Sequence, residues 1–235
     1  MKQTVNAREI ARQICPPVVW SGLQSLRTKV RGSRSQPARA TPTSQELDLY
    51  WDSNMAALLD TWGADSVWKE IQLLFVGRTG TALDIACGTG RVIEILSDAS
   101  VEVHGCDISP LLVGKARERG ILESRLTVCD ATTLPYADDT FDFAYSIGSL
   151  EHFTEEGISK FLAESHRATR VAAFHNIPVS RSGTEEGWIS PYQSYFNNSV
   201  AWWLTKFRAE YPKVTVLDST WSDTRSLGAW FICEN

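Results

Sequence analysis

The chain has 235 residues, 43% of them hydrophobic, which is enough for one full-sized α/β domain and an appendage. A net charge of −5 argues against a general nucleic-acid binder, and no run of 18 apolar residues is present to span a membrane. Five cysteines, at 15, 87, 106, 129 and 233, form no C-x-x-C pair; this excludes the common zinc and iron–sulfur motifs and suggests a reducing compartment.

The charge is unevenly spread. The first 40 residues hold eight Lys or Arg against one acid, Glu9, a charge of +7, so the remaining 195 carry −12. Residues 1–31 read as a basic amphipathic arm, two short helical patterns separated by Pro16-Pro17. In the second, Val19, Trp20, Leu23, Leu26 and Val30 share a face. Such an arm packs on the domain's own surface or on a partner protein, lies on an anionic membrane, or acts as a targeting peptide. Residues 32–45, rich in Ser, Pro, Thr and Arg, read as a flexible linker. The domain proper then runs over 46–235. It opens with helical periodicity at Leu47, Tyr50, Trp51, Met55, Leu58, Leu59 and Trp62, and a second helix is expected after Asp65 or Ser66.

The run Thr81 to Ala86 stops at Cys87-Gly88-Thr89-Gly90 and continues into amphipathic Val92 to Leu96. That order predicts a strand, a tight glycine turn and a helix. Asp84 falls near the strand's carboxyl end, where open α/β sheets hold their ligands. Val101 to Asp107 reads as a second strand ending in an acid, 23 residues after Asp84. Ser109-Pro110 starts a helix to about Arg119, serine as cap and proline in the first turn. Leu126 to Ala131 reads as a third strand with Asp130 at its end, and Phe141 to Ile147 as a fourth, with Asp142 anchoring its start. The three cysteines at 87, 106 and 129 are expected as small apolar residues at strand ends. Thr154 caps the next helix, which carries Ile158, Phe161 and Leu162. Arg170 to His175 forms strand five, with His175-Asn176-Ile177-Pro178 at its carboxyl end. A long connection over 179–198 follows, then a helix with Trp202, Trp203 and Phe207, and two last strands at 214–217 and 229–233.

The loop Asp84-Ile85-Ala86-Cys87-Gly88-Thr89-Gly90, the acid Asp107, the pair Asp130-Ala131 and Phe141-Asp142 after Asp138-Asp139 occur in that order. From about Thr81 to Phe153 the series resembles the class I S-adenosylmethionine-dependent methyltransferases. A dehydrogenase is disfavoured, because Ile93 stands where G-x-G-x-x-G has its third glycine. The resemblance implies an α/β, Rossmann-like seven-stranded and mostly parallel sheet with helices on both faces, its last two strands a hairpin, beside the N-terminal helical arm. It also implies the cofactor S-adenosyl-L-methionine, and no metal. Asp84, Ala86, Cys87, Gly88, Thr89 and Gly90 would hold the methionine portion, with Ile147 at the end of strand four facing it. Asp107 and Ile108 would hold the ribose, and Asp130 and Ala131 the adenine. Helices before strand one often lid the cofactor in this family, which makes Tyr50 and Trp51 candidates, with core packing the first role expected of Trp51.

His152, in Leu150-Glu151-His152, resembles a histidine many family members carry, and His175 reaches the same edge. Either is a candidate general base or a bracing group. The leading acceptor is a hydroxyl of a sugar or glycan precursor, because an alcohol is a poor nucleophile until its proton leaves. The 179–198 segment would then be an acceptor lid, with Trp188 or Tyr192 stacking on the sugar; otherwise it covers the sheet edge. The arm loosely resembles leaders of methyltransferases linked to bacterial surface-polysaccharide synthesis. Two other readings stand: N- or C-methylation of a small metabolite, and a non-catalytic cofactor-binding subunit of a partner. No nucleic-acid acceptor is expected, since the globule is acidic and no N-P-P-Y or D-P-P-Y follows strand four. The location expected is cytoplasmic, or peripheral at the cytoplasmic face of the membrane through residues 1–31.

Overall fold

The computed structural model describes residues 53–189 and 194–235. The arm, the linker, Tyr50, Trp51 and Tyr192 lie outside the described residues. In chain order the elements are α1 (Ser53–Leu59), α2 (Val67–Leu74), β1 (Gly80–Ile85), α3 (Arg91–Ile95), β2 (Val101–Asp107), α4 (Pro110–Glu118), β3 (Leu126–Val128), β4 (Phe141–Ile147), α5 (Glu155–Ala168), β5 (Thr169–Ser180), β6 (Trp188–Ile189), β7 (Tyr195–Phe196), α6 (Val200–Glu210), β8 (Lys213–Ser222) and β9 (Ser226–Glu234).

Seven strands form one sheet in the order β3-β2-β1-β4-β5-β9-β8. The first five are parallel, and β9 runs antiparallel to both β5 and β8. Alternation along each strand feeds two cores, one on each face. Leu83, Ile85, Ala144 and Ala173 meet Ile158, Phe161 and Leu162 of α5 and Trp203 and Phe207 of α6. Ala82, Val103, Phe143 and Phe174 meet Val67 and Ile71 of α2, Ile93 of α3 and Val113 of α4. Phe141 and Phe143 enter opposite cores although they are two apart. The register of β4 against β5 shifts between them, Phe141 pairing with Thr169 and Phe143 with Ala172, so the extra residue lies on β5. Asp142 sits at that shift. It accepts from the Thr81 amide at 2.9 Å and pairs with Arg170, so it pins the start of β4 to β1 and β5.

Three expectations need correction. β3 ends at Val128, so Asp130 and Ala131 belong to a loop, where Asp130 Oδ1 accepts from the Thr132 amide and hydroxyl, both at 2.8 Å. β5 does not stop at His175 but continues to Ser180. The 179–198 connection is not a bare loop: β6 and β7 pair antiparallel, Trp188 opposite Phe196.

Candidate functional site

The strand order reverses between β1 and β4, and the carboxyl ends of the strands open there into a cleft. Its floor is the glycine loop. Gly90 caps α3 with φ +71°, and a Cβ there would lie 2.5 Å from Ile121 Cδ1 and 2.8 Å from Ala116 Cβ. The loop is tied to β2 by two bonds, Cys87 N–H to the Cys106 carbonyl at 2.8 Å and Gly88 N–H to Asp107 Oδ2 at 2.9 Å. The other oxygen of Asp107 accepts from the Ser109 amide at 2.8 Å, and the Ser109 hydroxyl caps α4 through the Leu112 amide.

A second set of bonds straps the loop from outside. Thr89 Oγ1 donates to Asp60 Oδ1 at 2.5 Å, and Arg119 Nε donates to the Thr89 carbonyl at 3.0 Å. The Arg119 guanidinium also pairs with Asp60 at 2.5 Å and Glu94 at 2.9 Å. Residues that follow α1 and α4 thereby fix the position of the glycine turn.

Of the residues the sequence nominated, Asp84, Ala86, Cys87, Gly88, Thr89, Asp107, Ile108, Asp130, Ala131, Ile147 and His152 all line the cleft. Gly90 shapes it from behind, and Cys129, rather than being buried like Cys87 and Cys106, is half-buried in its wall. The sequence reading missed Leu59, Trp62, Trp68 and Arg91, which complete the wall. Leu59 and Trp62 were visible only as apolar positions of a periodic helix, which does not separate a lid from a core. Trp62 stands edge-on to Trp221 at 6.2 Å, and the Arg91 guanidinium lies 5.3 Å over the Trp68 ring.

The charge of the cleft selects its ligand. Three carboxylates, Asp84, Asp107 and Asp130, face one guanidinium, Arg91, which is itself paired with Glu94 at 2.5 Å. Burial lifts the Asp84 carboxyl well above its ordinary range, and the neighbouring Asp107 adds to the rise. Burial also raises Asp107, against the pull of the Ser109 and Gly88 amides. Such a lining repels a pyrophosphate and suits a ligand with a positive charge and several hydroxyls. S-adenosylmethionine is such a ligand.

The other end of the cleft is formed by Trp62, Ile147 to Ser149, His152 and Phe153. His152 closes the 3-10 turn Leu150–His152, and its Nδ1 lies 2.9 Å from the Ser194 carbonyl beside β7. Burial lowers its pKa below the ordinary histidine value. His175 does not reach this end. It is fully buried in the middle of β5 between Ser146 and Ser165, at 2.8 and 3.3 Å, and burial pushes its pKa down to about 3. A base enclosed in the core cannot meet an acceptor, so the candidacy of His175 ends here. Trp188 likewise packs edge-on to Phe196 at 4.9 Å and against the core, away from the cleft lining.

Residues 82–171 match a family model described as a methyltransferase domain. Over 89 residues the chain is 41% identical to a probable tRNA methyltransferase 9B of Bos taurus, a match covering 37% of this chain and 18% of that protein. Over 153 residues it is 31% identical to a demethylmenaquinone methyltransferase of Paenarthrobacter aurescens, covering 63% of this chain and 58% of that one. The matched region thus spans less than two thirds of either relative. Among solved structures, a 1,6-didemethyltoxoflavin-N1-methyltransferase of Burkholderia thailandensis with bound S-adenosylhomocysteine superposes with a TM-score of 0.55 at 19% identity, covering 75% of this chain and 82% of that one. Antiparallel β9, inserted between β5 and β8, separates this sheet from the parallel dinucleotide-binding order, and residues 82–171 of the chain are similar to a methyltransferase domain.

Proposed function

We propose that the chain transfers a methyl group from S-adenosylmethionine to a small polar acceptor, a hydroxyl of a sugar or glycan precursor, with His152 as general base. The tautomer of His152 carries this reading. A backbone carbonyl only accepts, so the Ser194 contact puts the proton on Nδ1 and the basic lone pair on Nε2. With its pKa lowered by burial, the ring is neutral at pH 7 and able to take the acceptor's proton.

When bound, S-adenosylmethionine supplies a methyl group made electrophilic by its sulfonium. Asp107 offers its carboxylate to the ribose hydroxyls, Asp130 and Ala131 border the adenine, and the segment Asp84 to Gly90 holds the methionine end. The rest of the chain's contribution is alignment, worth up to roughly 7–11 kcal/mol when donor and acceptor are held in line.

A second reading has an apolar ring methylated on carbon. Similarity to the demethylmenaquinone methyltransferase supports it, as do the Trp62, Ile147 and Phe153 surfaces at the acceptor end.

Calorimetric titration with S-adenosylmethionine should show saturable binding that Asp107→Ala abolishes while still giving a cooperative melt. Turnover is then screened on nucleotide-sugars, glycans and quinone precursors. His152→Gln should lower turnover about 10²-fold or more without weakening cofactor binding. Unchanged turnover removes the base, and turnover confined to quinone precursors replaces the first reading by the second.

A further inference from the structure

Glu151 stands beside His152 at the acceptor end and has no part in the proposal so far. It is 4% exposed, and its Oε2 has no hydrogen-bond partner among the described residues. Its Oε1 lies 3.8 Å from Nε2 of His152, the nitrogen that bears the lone pair. The same oxygen is 3.6 Å from where a Cβ on Gly148 would stand, and Gly148 lines the cleft. Packing does not ask for a carboxyl here. Leu150, in the same turn, is fully buried without any desolvation cost, whereas an acid in this place costs stability unless its charge is used.

Among the described residues, the titratable groups facing Glu151 are His152 on its own turn and Tyr195 on β7, whose hydroxyl pKa the Glu151 charge helps to raise. Neither α5 nor β5, which also pack on the turn, brings a charged group against it among the described residues.

We propose that Glu151 is a positioning residue that sets the strength of His152 as a base: its carboxylate, held beside Nε2, stabilises the imidazolium formed as the acceptor's proton arrives. The inference rests on the reading of His152 as the base. The acceptor's proton passes to Nε2, the O–H bonding pair stays on the attacking oxygen, and the imidazolium later releases the proton to water. Glu151 makes no bond to the acceptor. Burial pushes its pKa to about 8. Below that pH Glu151 is neutral and His152 a weak base; above it, the carboxylate raises the basicity of its neighbour.

The test is a titration of the full chain labelled with ¹³C at histidine Cε1, with His152→Gln assigning one of the four histidine signals. The His152 signal should show a second inflection near pH 8 that is absent in Glu151→Gln. In that variant the pKa of His152 itself should fall by about one unit. The turnover profile of the wild type should climb through pH 8, and that of Glu151→Gln should stay flat there. A wild-type His152 signal with no inflection between about pH 7 and 9 overturns the proposal, even if Glu151→Gln does not fold. A coupled signal with unchanged turnover in His152→Gln instead leaves Glu151 in place and removes the base reading beneath it.

Discussion

His175 Nδ1 lies 2.8 Å from the Ser146 hydroxyl and Nε2 3.3 Å from Ser165 Oγ, which itself accepts from the Tyr211 hydroxyl at 3.0 Å. Both nitrogens are used and the ring lies among Phe161, Phe207 and Tyr211. A pKa of about 3 in the fold, against 6.5 unperturbed, fixes the sign of its pH dependence. As the pH falls below 6.5 the unfolded chain takes up a proton that the fold refuses, so the contribution of His175 is present above 6.5 and lost towards 3. Between pH 6.5 and 4 this amounts to about 3 kcal/mol at 1.36 kcal/mol per unit. Urea unfolding should show His175→Gln losing much less stability than the wild type over that range; parallel losses would mean that His175 is already charged in the fold. The sequence misplaced this residue for a physical reason. Proline cannot donate to a ladder, so Pro178 has the character of a strand end. Pairing with β4 ends at Asn176, however, and only β9 continues alongside, pairing Gly228 with Pro178. Beyond Asn176 β5 has one open side, and a missing N–H is tolerated there.

Elements with strong internal patterns were the legible ones. β2 and β4 were read at their observed bounds, Val101–Asp107 and Phe141–Ile147, because Val101 and Val103 in β2 and Phe141, Phe143 and Tyr145 in β4 alternate with other residues and turn residues close each end. α4 and α5 announced themselves through Ser109 and Thr154, whose side chains do accept from Leu112 and Gly157 amides. The two-residue strands β6 and β7 carry no period to read, and the strap on the glycine loop joins Asp60, Thr89 and Arg119 across 59 residues with no sequence signature. That strap has a consequence for binding. Arg119→Ala removes the bond to the Thr89 carbonyl and both ion pairs while leaving every cleft-lining side chain in place. At 19% exposure, partly screened, the loss should be about 1–2 kcal/mol of stability. Freed from its strap, the loop must be ordered on binding, so the affinity for S-adenosylmethionine should fall several-fold. Calorimetry and denaturant melts read the two effects separately, and an unchanged affinity would show that the bonds of Cys87 and Gly88 to β2 suffice.

For the whole molecule, the cofactor half of the cleft was legible because its acids recur at or just past the ends of successive strands, at 84, 107 and 130. The acceptor half was not, because it is assembled from segments far apart in the chain, Trp62 before the sheet and Ser194 beside β7. The acidic half also determines how binding couples to pH. Asp84 and Asp107 are each 3% exposed, and burial raises both pKa values above the ordinary aspartate value. A cation entering the cleft favours the carboxylates and lowers those pKa values again. The complex therefore holds fewer protons than the free protein, and by linkage affinity rises with pH up to the free-protein pKa. Binding of S-adenosylmethionine should release protons at pH values above the ordinary aspartate range, measured as a dependence of the calorimetric heat on the ionisation enthalpy of the buffer. S-adenosylhomocysteine, which lacks the sulfonium charge, should release fewer, and the difference isolates the carboxyl nearest the sulfur. Equal heats in all buffers would mean that both aspartates are ionised before the ligand arrives. The acids would then be permanent counter-charges, and affinity would be independent of pH across this range.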